Sequence, residues 1–403
     1  MTSLVSLNDV LSRVTQNSFK NFNLKGLNVI KNANVYDNHN KFVQKTLFFS
    51  NNILLDSDTF IKTVSNQEEV NIFNGEKSFI TPTMCDQHIH GHSGIDFNKN
   101  KELKIRQLLV KLKKFGYGEI LATLTPDTIE NLNSQMDIIR KIIQNPKTNE
   151  TKISGINLEG PFFSPKKSGI HSPDILLIPN IENLKKFNLD NVKMLTIAPE
   201  LKGACEAIDY LNQQGIISSA GHSEATAEQV KTSGVNCITH LFNAMVGYHH
   251  REPTIANEAL ENDNIYIEVN TAFELIKPNT INMIYKYKPH DKIILISDSL
   301  KGAKPGKNHF IMGEKQIIID ENNIAKDDNG VLAGSIKSLG EVVKNFMDST
   351  LLNFSDFIKF TTQNPRNLLN LKEKKYLETG TKPSFVIWDK ETYKPIKTFI
   401  EGE

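Results

Sequence analysis

The chain has 403 residues, of which 39% are hydrophobic and 23% are charged, the balance of a soluble globular protein with a large core. With 47 basic and 46 acidic residues the net charge is +1, so the overall charge favours neither nucleic acid nor an anionic membrane as a partner. No apolar run approaches the roughly 20 residues that span a bilayer, and the three cysteines share no CxxC spacing, so we expect a cytoplasmic protein without a signal peptide.

The two ends of the chain predict one small β domain. The first 20 residues predict a short amphipathic helix. From residue 24 to about residue 80, short apolar runs are broken by Asn, Asp and Gly, a pattern typical of short strands and turns. Residues 379–403 show the same pattern. We therefore predict that residues 1–80 and 379–403 together form a small β-sandwich domain.

The middle of the chain alternates apolar runs with helix-like segments. The helix-like segments carry apolar residues at three- and four-residue spacing. In chain order the eight runs are SFITPTMC, GEILATL, KISGINL, KMLTIA, GIISSA, VNCIT, NIYIEV and KIILIS. Eight strand–helix units predict a (β/α)8, TIM-like barrel, which we assign to residues 81–378 as the catalytic domain.

Five of these runs end in an imidazole or a carboxylate. In order, these residues are His88 and His90, Glu159, His222, His240 and Asp298. Catalytic groups of such a barrel gather at the carboxyl ends of its strands, so we expect these side chains to lie together. Two histidines and a glutamate are a known ligand set for catalytic zinc, with one position left open. The sequence therefore predicts that Glu159, His222 and His240 hold a divalent metal ion, with Asp298 as general base.

Taken singly, each of these residues has an ordinary structural explanation. A histidine at a strand end is often only hydrogen-bonded, and an aspartate there is often a helix cap. Only their joint occurrence at the ends of separate strands favours a metal site. Ser223, which follows His222, is predicted to cap the next helix, and Glu200 after the fourth run is predicted to have a structural role.

Several motifs in the predicted barrel resemble those of a known family. They occur in the order NLEGPFFSPKKSGIH, AGHSEAT, THLFNAM, REP, SDS and LAGS. As an ordered set they resemble the motifs of the N-acetylglucosamine-6-phosphate deacetylases, a branch of the metal-dependent amidohydrolase superfamily. The resemblance implies hydrolysis of the acetamide of N-acetylglucosamine 6-phosphate with one or two divalent ions per subunit, zinc or iron. It also implies that Glu159, His222 and His240 are the metal ligands and that Asp298 is the catalytic acid and base, in agreement with the assignment from the strand ends.

The resemblance assigns further residues to the substrate. His171, at the end of NLEGPFFSPKKSGIH, would contact the substrate near its acetyl group. Asn243 and Ala244 of THLFNAM would bind the phosphate, Ala244 through its backbone. Arg251 of REP would reach a phosphate from the neighbouring subunit, which implies a homodimer, and guanidinium pairs well with phosphate oxygens. The acetyl pocket would be lined by Leu332, Ala333 and Gly334 of LAGS.

The HxH motif formed by His88 and His90 bears on the number of metal ions. Members of the family that have this motif can carry two metals, and members without it carry one. The resemblance therefore implies a second metal site here. His92 lies beyond the usual pair and is expected to be a loop residue.

After the seventh run the sequence departs from the family. The usual DGxHxxP motif, whose histidine contacts the sugar, is replaced by VNTAFELIKP. Glu274 in this segment could take the place of the histidine.

Other functions remain open from the residues alone. A dihydroorotase-like cyclic amidase would usually need a lysine bridging two metals at the fourth strand, and Lys202 comes too late for that position. A catalytically silent sugar-phosphate sensor is a second alternative, which the complete set of candidate ligands and base opposes. A structural barrel that binds no metal is a third. Both the glucosamine and the galactosamine epimer of the substrate are compatible with the sequence.

Overall fold

The protein is described from a computed structural model that covers residues 18–37, 39–64, 69–302, 309–313, 315–371 and 376–403. The helix predicted for the first 20 residues lies almost wholly outside these ranges, and the described part contributes to a short 3-10 turn at Phe19–Asn21.

The helices and strands occur along the chain in the following order. The N-terminal region contains β1 (Leu27–Tyr36), β2 (Phe42–Ser50), β3 (Ile53–Leu55), α1 (Ser57–Thr63), β4 (Val70–Asn74) and β5 (Ser78–Pro82). The middle contains β6 (Met84–Ile89), β7 (Gly91–His92), β8 (Ile95–Asp96), α2 (Glu102–Lys113), β9 (Tyr117–Leu124), α3 (Ile129–Gln144), β10 (Lys152–Phe162), α4 (Ile181–Leu184), β11 (Val192–Ile197), α5 (Ala204–Gln213), β12 (Ile217–Ala220), α6 (Ala227–Ser233), β13 (Cys237–Ile238), α7 (Ile255–Glu261), β14 (Tyr266–Asn270), α8 (Pro278–Tyr287) and β15 (Ile293–Ile296). The remainder contains β16 (His309–Met312), β17 (Lys315–Ile319), β18 (Ala325–Asp327), β19 (Leu332–Gly334), α9 (Leu339–Ser349), α10 (Phe354–Leu368), β20 (Phe385–Asp389) and β21 (Pro395–Phe399).

A parallel sheet forms the centre of the molecule. Within the described residues it has eight strands in the order β6, β9, β10, β11, β12, β13, β14 and β15. Each of the eight apolar runs overlaps one of these strands, so the predicted (β/α)8 barrel is confirmed. The first run is divided, because its first half forms β5 in a different sheet. All residues of β9 and β15 are buried, as expected for parallel strands covered on both faces.

The helices turn an apolar side toward the barrel. In α3, Leu132, Met136 and Ile139 recur at three- and four-residue spacing and are all buried. Thr128 caps this helix, and its side chain accepts a hydrogen bond from the backbone N–H of Asn131 at 3.2 Å. In the described part of the chain, no helix combines the length and the apolar character needed to cross a membrane.

Main-chain hydrogen bonds close the barrel between its first and last strands. The backbone N–H of Asp298 donates to the carbonyl of His88 at 2.9 Å. The backbone N–H of His90 donates to the carbonyl of Ser299 at 3.0 Å. Residues singled out for chemistry from the sequence therefore also form the seam of the barrel.

The N- and C-terminal segments, predicted to form a small β-sandwich domain, come together in one seven-stranded sheet within the described residues. Among the described residues its strands follow the order β21, β20, β5, β1, β2 and β3, and β4 also pairs with β1. The two ends of the chain meet where β20 pairs antiparallel with β5. Trp388 of β20 is fully buried, and its Nε1 donates to Thr81 Oγ1 at 2.7 Å. Its indole packs into the barrel core and so fixes the sheet to the barrel.

The sequence did not predict a further sheet that follows the last barrel strand. Strands β16, β17, β18 and β19 form an antiparallel sheet between β15 and α9. Its buried Ile317 packs with Ile170 and Leu300. Because Leu300 follows closely after β15, this sheet covers the rim of the barrel on the side where the candidate base lies.

Candidate metal centre

Six side chains singled out from the sequence lie together at the carboxyl ends of the barrel strands. They form two groups, and in each group the potential ligand atoms lie within 4.8 Å of one another. One group is Glu159, His222 and His240, and the other is His88, His90 and Asp298. All six residues are buried.

The first group converges on one carboxylate oxygen. Oε1 of Glu159 lies 3.0 Å from Nε2 of His240 and 3.4 Å from Nε2 of His222. The two histidine Nε2 atoms are 3.1 Å apart. The ring of His222 is held from behind, because its Nδ1 lies 2.8 Å from the carbonyl of Lys167 and its face stacks on Phe163 with centroids 3.9 Å apart.

Glu159 also reaches the second group. In that group, Oδ1 of Asp298 lies 3.2 Å from Nε2 of His90 and 3.8 Å from Nε2 of His88. The two oxygens of Glu159 divide between these histidines, with Oε1 at 3.3 Å from Nε2 of His88 and Oε2 at 3.2 Å from Nε2 of His90. One carboxylate therefore lies between the two groups and contacts both.

Burial and neighbouring charges act in opposite directions on the pKa values of Glu159 and His90. Burial alone would raise the pKa of Glu159, but His88 and His90 hold it well below its usual value. Burial alone would lower the pKa of His90, but Glu159 and Asp298 outweigh it and raise the pKa to about 9. A divalent cation could replace the proton held by this imidazole, because metal ligation requires the neutral imidazole.

The donor set fits such a cation. Nε2 of His88 is buried and faces the two carboxylates, yet it makes no hydrogen bond within the described residues. A buried polar atom without a partner is costly unless something else binds it. Imidazole nitrogens and carboxylate oxygens are ligands of zinc and of iron. The residues present are thus compatible with the one or two ions expected from the sequence.

Three of these residues have an uncommon backbone conformation. The φ angles of His222, His240 and Asp298 are 49°, 30° and 47°. Residues other than glycine seldom adopt positive φ, and such positions cluster at functional sites. Each lies two residues after the end of a barrel strand, so the turn that ends the strand also directs the side chain into the centre.

Sequence reasoning missed two polar residues on β14. Glu268 is fully buried, and its Oε2 lies 3.0 Å from Nδ1 of His88. Asn270 is buried as well, and its Nδ2 donates to Oδ2 of Asp298 at 3.4 Å. The signal was present, because Glu268 and Asn270 alternate within an otherwise apolar run and so face the same side of the strand.

His171 lies beside the two ligand groups. Its Nε2 is 3.9 Å from Oε2 of Glu159, and burial lowers its pKa to about 3, so the ring is neutral near pH 7. The other residues expected to bind substrate have no direct contact with the ligand side chains among the hydrogen bonds of the described residues. Asn243 and Ala244 are half-buried in the turn after His240, and Asn243 Nδ2 donates to the carbonyl of His240 at 3.3 Å.

Arg251 is exposed, and among the described residues no hydrogen bond or ion pair joins it to the ligand groups. The LAGS segment adjoins the candidate base, since the backbone N–H of Ser335 donates to the carbonyl of Asp298 at 3.1 Å. The residues expected in the acetyl pocket, Leu332, Ala333 and Gly334, form β19 directly before this contact.

Several neighbouring residues have structural roles. The prediction that Ser223 caps the following helix is wrong, because Thr226 caps α6. The hydroxyl of Ser223 instead donates to Glu200 at 2.6 Å, which holds the loop after the candidate ligand His222. His92 is directed away from the ligand groups, and its Nε2 lies 3.1 Å from Glu341 near the start of α9.

Glu274, which could take the place of the family's histidine, has its carboxylate engaged by another side chain. One of its oxygens is paired with Nζ of Lys337, shortly after the LAGS segment. Its other oxygen is buried without a hydrogen-bond partner in the described residues.

Comparisons with known proteins agree with the resemblance found in the motifs. The N-acetylglucosamine-6-phosphate deacetylase of Lysinibacillus sphaericus is 29% identical over 328 residues, which cover 79% of this chain and 84% of the relative. An N-acetylgalactosamine-6-phosphate deacetylase of Escherichia coli is 25% identical and covers 75% of this chain and 81% of the relative. The crystal structure of the N-acetylglucosamine-6-phosphate deacetylase of Thermotoga maritima superposes with a TM-score of 0.79 at 26% identity, covering 93% of this chain and 98% of that chain.

The family model described as the amidohydrolase family matches residues 79–403, which include the whole barrel and both ligand groups. Because that match spans most of the sequence, the chain belongs to the amidohydrolase family.

Proposed function

We propose that the protein hydrolyses the acetamide of N-acetylglucosamine 6-phosphate to glucosamine 6-phosphate and acetate. Relatives that cover most of the chain carry this activity in their names. The observation that carries the proposal is the position of the Asp298 carboxylate, 3.2 Å from Nε2 of His90 in one buried ligand group and next to the second group, whose Glu159 contacts both histidines of the first. This arrangement supplies a base next to the place where an amide carbonyl would be activated.

Glu159, His222 and His240 would hold one divalent ion, and His88 and His90 would hold a second beside Asp298. Zinc or iron suits these ligands. An ion held there would polarise the amide carbonyl and make a nearby water more acidic.

The protein's own groups would move the protons. Asp298 accepts a proton from the attacking water and returns it to the amide nitrogen as the C–N bond breaks, so that acetate and the free amine leave. Asn270 orients the Asp298 carboxylate through its contact at 3.4 Å. His171, neutral because its pKa is low, donates a ring N–H to the oxygen on which negative charge develops.

Other residues would bind the unreactive parts of the substrate. Asn243 and the backbone of Ala244 would bind the phosphate, and the LAGS segment would enclose the acetyl methyl group. Arg251 would contribute its guanidinium to the active site of a second copy, so the working unit would be a homodimer. A phosphorylated sugar is charged and does not cross a bilayer unaided, and we therefore propose that the enzyme works in the cytoplasm.

The direct test measures acetate release by the metal-loaded protein. N-acetylglucosamine 6-phosphate should be hydrolysed, and unphosphorylated N-acetylglucosamine should be a much poorer substrate. N-acetylgalactosamine 6-phosphate, assayed in parallel, decides the epimer preference. The proposal would be overturned if the protein hydrolysed a cyclic amide such as dihydroorotate but hydrolysed neither of the phosphorylated amino sugars. Tight binding of the sugar phosphate without turnover by metal-loaded protein would instead favour a sensor.

The metal count has a test of its own. Replacing both His88 and His90 with alanine should remove at most one ion per subunit and leave the Glu159, His222 and His240 site occupied. Elemental analysis of protein purified without chelator measures this. Complete loss of metal from the double variant would show that the HxH pair belongs to the primary site.

A further inference from the structure

Glu268 is a buried carboxylate to which the proposed function gives no role. It lies on β14, and its side chain is fully buried inside the barrel. A carboxylate at such depth is tolerated only with good hydrogen-bond partners. Its Oε1 accepts a hydrogen bond from Nε2 of Gln87 at 2.7 Å, and its Oε2 lies 3.0 Å from Nδ1 of His88. A longer contact of 3.4 Å joins Oε2 to the backbone N–H of His240.

The contact with Glu268 decides which ring nitrogen of His88 is free. Both oxygens of Glu268 accept hydrogen bonds, from Gln87 and from the backbone N–H of His240, so Nδ1 of His88 is assigned as a further donor. The neutral ring then carries its lone pair on Nε2. That atom lies 3.3 Å from Oε1 of Glu159 and 3.8 Å from Oδ1 of Asp298. Glu268 therefore directs the free nitrogen of His88 into the centre.

The other candidate histidine ligands are held differently. Nδ1 of His90 is buried and has no hydrogen-bond partner within the described residues, and the same is true of Nδ1 of His240. Nδ1 of His222 lies 2.8 Å from a backbone carbonyl. Among the four candidate histidine ligands, only His88 has a carboxylate behind its ring within the described residues. A carboxylate in that position fixes both the tautomer and the orientation of a metal-binding imidazole.

We propose that Glu268 is a positioning residue for the second metal ion: by holding His88 through Nδ1, it determines how tightly His88 and His90 bind an ion beside Asp298. This inference rests on the metal centre of the proposed function, but it is independent of the substrate assigned there.

The substitution Glu268→Gln tests the proposal, because it keeps the shape of the side chain and removes the carboxylate. Metal-free protein is titrated with Zn²⁺ by calorimetry, and a parallel titration with Co²⁺ counts bound ions by absorbance. Loss of a group behind a metal ligand weakens metal binding by about 10- to 100-fold. We expect a loss of that size for the weaker of two binding events, with little change in the tighter one.

Asp86→Asn is the matched control. Asp86 is also fully buried, and it lies two residues before His88 on the same strand. Its Oδ1 accepts a hydrogen bond from the backbone N–H of His88 at 3.1 Å, so it does not touch the ring. Asparagine can accept the same hydrogen bond. This variant removes a carboxyl group from the same region, and the affinity for the second ion should stay close to that of the wild type.

Four results would overturn the proposal. The first is unchanged binding of both ions by Glu268→Gln, and the second is an equal weakening by Asp86→Asn, which would reveal a general effect of charge. The third is an equal loss of both ions together with a lower Tm of the metal-free variant, which would reveal a merely structural role. The fourth is a wild-type protein that binds a single ion.

A variant that retains the carboxylate keeps the test decisive if Glu268→Gln does not fold. Glu268→Asp withdraws the carboxylate from His88 by one methylene, and the same criteria then apply to it. Acetate release is not part of these measurements, so a failure here is distinct from a failure of the proposed deacetylase activity.

Discussion

Buried charged groups occur at both ends of the barrel, but their partners differ. At the amino end, Arg366 forms an ion pair with Glu119, and Nζ of Lys288 donates to two backbone carbonyls at 2.6 and 2.7 Å. At the carboxyl end, Nε2 of His88 is buried among carboxylates and makes no hydrogen bond within the described residues. Groups whose partners are all supplied by the protein stabilise the barrel, whereas incompletely satisfied groups indicate a place for a ligand. Substitutions at the carboxyl end should therefore lower catalysis more than stability, and substitutions at the amino end should lower stability more than catalysis.

The largest effect is expected at the carboxyl end, from Asp298→Asn. The variant should fold and keep the ion at Glu159, His222 and His240, because asparagine has nearly the same shape. Its kcat should fall by about 10²- to 10⁴-fold, the usual contribution of a general acid–base group. Steady-state kinetics and elemental analysis measure the two properties. Turnover close to wild type in a metal-loaded variant would remove Asp298 from the mechanism.

At the amino end, Arg366→Met should have the opposite effect: it should lower the stability of the protein and leave kcat unchanged. It leaves the carboxylate of Glu119 buried without its cation, which should lower the free energy of unfolding by about 3 kcal/mol, the low end for breaking a buried pair. The kcat of the folded fraction should not change. Denaturant unfolding is the measurement, and adding Glu119→Gln to the variant should recover part of the loss. A fall in kcat with unchanged stability would contradict the division between the two ends.

Arg251→Ala sharpens the comparison, because Arg251 is near the active site in sequence but exposed on the surface. A hydrogen bond to a charged group contributes about 1.5–3 kcal/mol, so KM for the phosphorylated sugar should rise roughly 10- to 100-fold. Hydrolysis of an unphosphorylated analogue should change much less. Equal loss on both substrates would show that Arg251 does not bind the phosphate.

A mixture of Arg251→Ala and Asp298→Asn, assayed at a substrate concentration at which each variant alone is poorly active, tests whether Arg251 acts across subunits. A mixed dimer of Arg251→Ala with Asp298→Asn would contain one site with both substitutions and one site with neither. Activity should then return on subunit exchange. No recovery is expected if Arg251 serves its own subunit.

The smallest effect is expected from Lys288 and depends on pH. Burial lowers the pKa of Lys288 to about 8, whereas an unfolded lysine has a pKa of about 10.4. Between these pH values the unfolded chain binds more protons, so this residue's contribution to the free energy of unfolding rises with pH. The stability of wild type relative to Lys288→Met should therefore increase by about 2 kcal/mol from pH 8 to pH 10.4. Thermal or denaturant unfolding over this range measures it, and a flat difference would contradict the assignment.

The barrel could be predicted from the sequence because each strand is a short apolar run and each helix has a regular apolar side. The ligand groups could be anticipated for a related reason, since strand ends meet at one rim whatever the detailed register. By contrast, Glu268 and Asn270 were missed because a polar residue inside an apolar run shows no partner until the strands are arranged. Their partners, His88 and Asp298, come from the first and last strands of the barrel.

The sheet of β16 to β19 was missed for a different reason. Its strands are three to five residues long, and several of their residues are exposed, so they lack the strong apolar runs of the barrel. The error at Ser223 also has a local cause. Ser223 and Thr226 are both suitable caps, and the capping box formed by Thr226 with Gln229 begins the helix three residues later.

The seam of the barrel has a consequence for how the protein matures. The hydrogen bond from Asp298 to His88 joins residues more than 200 positions apart in the sequence. Contacts of such separation are costly to close and are a slow part of folding. The candidate base and the second set of ligands therefore meet only when the chain has closed upon itself. A nascent or half-folded chain lacks this arrangement, so any activity that needs both Asp298 and His88 can begin only when the barrel is complete.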